Sequence, residues 1–101
     1  MAIAQVGYWR ARPGRFEDTI KVVNEARKIH ERLGAQVRIM QTQIGTDAGS
    51  IAYVIEHVDG SAYGQFIDKL NSDGQWQQLV ASFQKDPPAE PERSNLLQDI
   101  P

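Results

Sequence analysis

Apolar residues recur along this chain with two periods, and the switches between them mark the elements. Ala2–Arg10 alternates Ile3, Gln5, Gly7 and Trp9 against Ala4, Val6 and Tyr8. That period of two predicts a strand with apolar groups on both faces. Arg12-Pro13-Gly14 ends it, because proline donates nothing to a ladder and suits a turn or helix start. From Arg15 to Leu33 the period changes: Phe16, Thr19, Ile20, Val23, Ala26, His30 and Leu33 recur at three- and four-residue steps, one buried helical face. Gly34 follows, where a helix end favours a left-handed residue. Gln36–Ile44 and Ile51–Val58 are β-rich runs around the turn-forming Gly45-Thr46-Asp47-Ala48-Gly49-Ser50, a hairpin with a long loop. Asp59-Gly60-Ser61 opens a second helix, with Asp59 or Ser61 as its cap. Asn71-Ser72-Asp73-Gly74 interrupts it, and a further segment, Gln75–Lys85, carries Trp76, Leu79, Val80 and Phe83 as its stripe. Pro87-Pro88 stops that segment. Asp86–Glu92 resembles a linker, and Arg93–Ile100 is expected as a last strand.

The order β-α-β-β-α-β with right-handed crossovers predicts a ferredoxin-like plait: an α+β fold, four antiparallel strands in the order 4-1-3-2, both helices on one face. Strands one and three are then central, and they are the two runs apolar on both faces. The uncovered sheet face needs a partner, and the simplest is the same face of a second subunit. Pairing Ile44 with Ile51 puts Arg38, Met40, Thr42 and Ile44 under the helices. The open face then holds Val37, Ile39, Gln41 and Gln43 with Ala52, Val54, Glu56 and Val58. Placing Gln5 there as well brings Ile3, Gly7 and Trp9. A slip of one residue would invert any of these strands.

Composition narrows the partners. A chain of 101 residues with 41% hydrophobic and 24% charged positions is one domain, residues 1–101. Net charge is −2 with its basic residues scattered, so nucleic acid is not an expected partner. Without cysteine there is no disulfide, thiolate nucleophile or thiolate metal site. No run approaches the roughly 18 apolar residues of a membrane span, and the first residues lack the pattern of a secretion signal. A cytoplasmic protein with no membrane partner is expected. Glycine spacing matches no phosphate-binding loop, and Asp47-Ala48-Gly49 lacks the ligands of a calcium loop, so no metal and no cofactor are expected.

Three stretches carry a resemblance to a known superfamily. They are Arg12-Pro13-Gly14-Arg15 opening helix one, Ile55-Glu56-His57-Val58-Asp59-Gly60-Ser61-Ala62 joining strand three to helix two, and Gly74-Gln75-Trp76-Gln77-Gln78-Leu79. Over nearly its whole length the chain resembles the dimeric α/β barrels, among them NIPSNAP-type, stress-responsive A/B-barrel and antibiotic-biosynthesis monooxygenase-type domains. The resemblance implies two such plaits closing into one barrel. Activities within the superfamily include cofactor-free monooxygenation, haem degradation and small-molecule isomerisation, and many members have no known activity.

Candidate chemistry sits on the inferred open face. Glu56, enclosed between sheets, would be desolvated toward a general acid or base; solvated or paired to Arg38 or Arg93 it would be ordinary. Gln5, Gln41 and Gln43 can each donate and accept a hydrogen bond to a ligand, beside Trp9. His57 and His30 are expected to be structural, and Trp9 and Trp76 to anchor a core or interface. The expected function is a homodimer binding a small organic ligand in a cleft, either between sheet and helices or between the two sheets. One alternative is a cofactor-independent monooxygenase or isomerase with Glu56 as proton acceptor beside Gln41 and Trp9. A second is a purely structural or interaction module.

Overall fold

A computed structural model describes residues 1–101. The elements are β1 (Ile3–Ala11), α1 (Phe16–Arg32), β2 (Gln36–Gln41), β3 (Ile51–His57), α2 (Gly60–Asn71), α3 (Gly74–Lys85) and β4 (Ala89–Gln98). One antiparallel sheet runs in the order β2-β3-β1-β4, the plait the element order implies. Aspartates cap α2 and α3, Asp59 being one of the two residues expected at the start of α2. The Asp59 carboxylate accepts from the Ala62 N–H at 2.8 Å, and Asp73 accepts from the Trp76 N–H at 2.9 Å. Each satisfies a backbone donor that the first helical turn leaves free. Asp59→Ala is expected to cost about 1 kcal/mol, read as a fall in thermal midpoint of about 4–8 °C; no shift would mean water replaces the cap.

The main core lies between sheet and helices: Val23, Ala26 and Ile29 on α1, Tyr53 and Ile55 on β3, Phe66 and Leu70 on α2. A smaller cluster on the other sheet face joins Val6, Ala52 and Val54, with Ala4 and Tyr8 against it. The central strands are thus apolar on both sides.

Register corrects the expected faces. Gln41, not Ile44, pairs with Ile51, because the loop closes its own ladder. The Thr42 N–H donates to the Ser50 carbonyl at 2.9 Å, and the Gly49 N–H to the Thr42 carbonyl at 2.8 Å. Gly45 and Gly49 take the positive φ this needs, 136° and 94°, and Ile44 is left 94% exposed. A three-residue shift is odd, so β2 turns over. Val37, Ile39 and Gln41 lie with Tyr53 and Ile55 beneath the helices, and Arg38 and Met40 lie on the open face with Ala52 and Val54. β1 is also inverted: Ile3, Gln5, Gly7 and Trp9 pair with His57, Ile55, Tyr53 and Ile51 on the helix side. The half-buried polar Gln5 is tolerated there because its Oε1 accepts from the Tyr63 hydroxyl of α2 at 3.2 Å. Only β3 keeps its expected faces. β4 starts earlier than expected and includes Pro91, which an edge strand accommodates. Its pairing with β1 shifts between Tyr8 and Trp9, and Glu92 is the bulged residue.

Candidate functional site

Between sheet and helices lies a cavity of ≈ 810 Å³, within the range that holds a drug-sized molecule. Gln5, Gly7 and Trp9 of β1 and Tyr53 and Ile55 of β3 form its floor. The roof comes from Val23 and His30 of α1, Phe66 of α2, and Trp76, Leu79 and Phe83 of α3. Two local choices keep it open. Gly7 offers no side chain at the centre of the floor, so the Trp9 indole lies across it; a Cβ there would stand 3.2 Å from Trp9 Nε1. No residue of α3 is buried although its apolar stripe faces the sheet, so α3 bridges the space rather than filling it. Phe83 meets the Trp9 ring edge-on at 5.5 Å, a favoured aromatic geometry.

His30 is the polar feature of this cavity. It is 3% exposed, and its ring lies 4.6 Å from Trp76 and 5.5 Å from Phe66 between centroids. Nδ1 and the Tyr53 hydroxyl are 2.6 Å apart, whereas Nε2 has no partner. Burial lowers the imidazole pKa from 6.5 to about 4 and raises that of the Tyr53 phenol, because a low-dielectric site disfavours either charge. At neutral pH both groups are uncharged. If Tyr53 donates to Nδ1, one group is orphaned, an Nε2–H. If Nδ1–H donates instead, both the phenol O–H and the Nε2 lone pair lack partners. Buried polar groups are seldom left unpaired, so the first arrangement is favoured and Nε2–H is a free donor.

Charges gather at the rim. Ser50, fully buried, donates to the bulged Glu92 carboxylate. Arg10 reaches Glu92 through Nε at 3.2 Å and Ser50 Oγ through Nη2 at 3.0 Å. The Ser50 hydroxyl first, then Arg10, hold Glu92 below the ordinary carboxylate range. Arg93 pairs with Asp47 at 3.0 Å and covers the Tyr8 ring at 4.2 Å on the open face. Both arginines are engaged, so no uncommitted cation borders the cavity.

Of the residues singled out in the sequence, Gln5 and Trp9 line this cavity. Glu56 does not join them: it shares the open face with Ala4, across the sheet from Trp9. Gln41 Nε2 donates to the Gly49 carbonyl at 3.2 Å, and Gln43 Nε2 to Gln41 Oε1 at 3.4 Å, so both amides pin the loop away from the cavity. His30 and Tyr53 carry its polar centre instead. Helical spacing put His30 on the apolar face of α1, but nothing in the sequence joined it to a tyrosine 23 positions away.

No family model and no curated protein matches the sequence. Solved structures do resemble it. A NIPSNAP family protein from Agrobacterium tumefaciens superposes with a TM-score of 0.77 at 20% identity, covering 99% of this chain and 94% of its own. An uncharacterized NIPSNAP domain protein from Burkholderia xenovorans gives 0.74 at 20% identity, covering 100% and 94%. A protein provisionally assigned as an antibiotic biosynthesis monooxygenase, from Chloroflexus aurantiacus, gives 0.67 at 14% identity, covering 100% and 95%. At such identities the likeness shows the fold, which is the ferredoxin-like plait of NIPSNAP and antibiotic-biosynthesis monooxygenase-type domains, as the sequence resemblance implied.

Proposed function

We propose that this protein binds a small, largely apolar organic ligand between its sheet and its helices, and does so as a homodimer joined through the open sheet face. The observation that carries the ligand reading is an apolar cavity of ≈ 810 Å³ with the buried, hydrogen-bonded His30–Tyr53 pair among its lining residues. The dimer reading is supported by Val6, Ala52 and Val54, flanked by the half-exposed Met40 and Leu97; a second copy would cover both.

A monooxygenase or isomerase would need a proton acceptor in the same cavity. Glu56 faces the other side of the sheet, and His30, with its pKa lowered to about 4, is a weak base at neutral pH. These placements favour binding over proton abstraction.

Titration with the neutral dye Nile red tests the reading. Saturable binding of one dye per subunit is expected, and Gly7→Val, which drives the Trp9 indole into the cavity, should weaken it more than tenfold. Native mass spectrometry should give a dimer for both proteins. Absence of saturable binding would sink the ligand reading, and a monomer at micromolar concentration the dimer.

A further inference from the structure

A second hollow, of ≈ 280 Å³, lies between α1 and α3. Its walls include the exposed Asp18, Glu25 and Ser82, so it opens to solvent. Val22, Leu79 and Phe83 border both this hollow and the cavity over the sheet, and no other residue does. All three are half-buried. One layer of apolar side chains therefore stands between the cavity and the surface. Little holds that layer from the α3 side, since α3 has no buried residue and Phe83 meets only the edge of the Trp9 ring.

α3 is moored at its ends rather than along its length. At its start Arg32 Nη2 donates to both Asp73 oxygens at 2.8 and 2.9 Å and to Gln75 Oε1 at 2.8 Å. That carboxylate, which also caps α3, is only 12% exposed. Past the other end, the Pro88 carbonyl accepts from the Arg12 N–H at 2.8 Å and from the Thr19 hydroxyl at 3.1 Å. The last tie is of another kind. Arg15 reaches Asp86 through Nη1 and Nη2 at 3.1 and 3.3 Å, but the aspartate is 77% exposed. An exposed ion pair contributes little and is screened by salt. The approach past β4 is tied more firmly, with Glu92 held by both Ser50 and Arg10 and Arg93 held by Asp47.

We propose that a ligand enters and leaves the cavity between α1 and α3, through a gate formed by Val22, Leu79 and Phe83 and latched by the Arg15–Asp86 ion pair. This inference rests on the ligand reading above and assigns the route to that site and its control by salt. Rotation of Leu79 and Phe83 away from Val22 joins the hollow to the cavity, a motion open to half-buried side chains on a loosely seated helix. The latch holds the end of α3 against the start of α1 and keeps the layer shut. A gate stands on the path and not at its end. Loosening it raises the rates of entry and exit together and leaves affinity where it was.

Stopped-flow mixing with Nile red reads both rates. Asp86→Asn should raise entry and exit about two- to fivefold each, the worth of an exposed pair, with Kd nearly unchanged. Raising NaCl from about 20 mM to about 500 mM, which screens the latch, should do the same to the unaltered protein and nothing further to Asp86→Asn. The dye is uncharged, so steering by the protein's field adds nothing. Leu79→Ala thins the gate itself and should raise both rates about tenfold; should it not fold, Asp86→Asn and the salt series decide. Asp47→Asn, which frees Arg93 beside β4, should leave both rates as they were. If Asp86→Asn and Leu79→Ala change neither rate, or Asp47→Asn speeds exchange in their place, the gate falls while dye binding upholds the cavity. A rise in exit alone would put these residues in contact with the dye rather than on its route, and would equally overturn the gate. Without saturable dye binding the cavity reading falls, and the gate with it.

Discussion

Replacing Phe66 with alanine is expected to remove about 3–5 kcal/mol of stability, the usual cost of deleting a buried aromatic ring. A domain of this size holds about 5–15 kcal/mol in all, so the variant should unfold about 15–30 °C lower. Phe66 is 2% exposed and belongs to the core cluster shared by α1, α2 and β3. Its ring also touches both histidines, with centroids 5.5 Å from His30 and 4.7 Å from His57. Losing it would open a void beside two imidazoles whose free nitrogens already lack partners. Phe16 supplies the contrast: it lies on the same periodic face of α1 that spacing marks as buried, yet is 45% exposed. Phe16→Ala should cost less than about 1 kcal/mol. Thermal unfolding of the two variants side by side checks both, and equal shifts would mean that Phe66 does not hold the helix layer down.

The element order and the central places of β1 and β3 could be read from the chain, because a strand buried on both sides must be apolar at odd and even positions alike. The same property hid the faces. With Ile3 and Trp9 opposed to Val6 and Tyr8, nothing local says which set lies under the helices. Gln5 misled because its partner, Tyr63, lies 58 positions later. For β2 the ambiguity was one of length: Thr42 and Ile44 suit a strand, and only the bonds joining Thr42 to Gly49 and Ser50 end it at Gln41. That odd shift separates Glu56 from Gln41, and the inversion of β1 separates it from Gln5 and Trp9, so the residues grouped on the open face do not come together. The cavity was illegible for a related reason. The stripe of Trp76, Leu79, Val80 and Phe83 announces a packed helix, and periodicity does not record how far that helix stands from the sheet. His30 was placed on a buried face, but its pairing with Tyr53 needed the register of β3 against α1.

Stability should fall as pH drops from 6.5 toward 4, before the carboxylates titrate. The folded His30 imidazole protonates at about 4, against 6.5 when unfolded. In that interval the unfolded chain binds the extra proton, so unfolding is favoured as pH falls, and the histidine's contribution is whole only above 6.5. Each pH unit is worth at most 1.36 kcal/mol per group, so the loss from His30 between pH 7 and 4.5 is on the order of 2 kcal/mol. His57 acts with the same sign, since burial lowers its pKa too and neither ring nitrogen has a partner. Asp73 and Glu92 also titrate below their ordinary values of 3.8 and 4.5. Their contributions are whole above those values and fade only beneath them, which leaves the interval from 6.5 to 4.5 to the two histidines. Urea unfolding at pH 7.5, 6.0 and 5.0 should show the decline. His57→Leu should retain the larger part of it, and the His30 ring protons should show no titration above pH 5 by NMR. A flat profile across that interval would mean that His30 finds an acceptor or water when protonated, and the neutral, buried imidazole paired with Tyr53 would lose its basis.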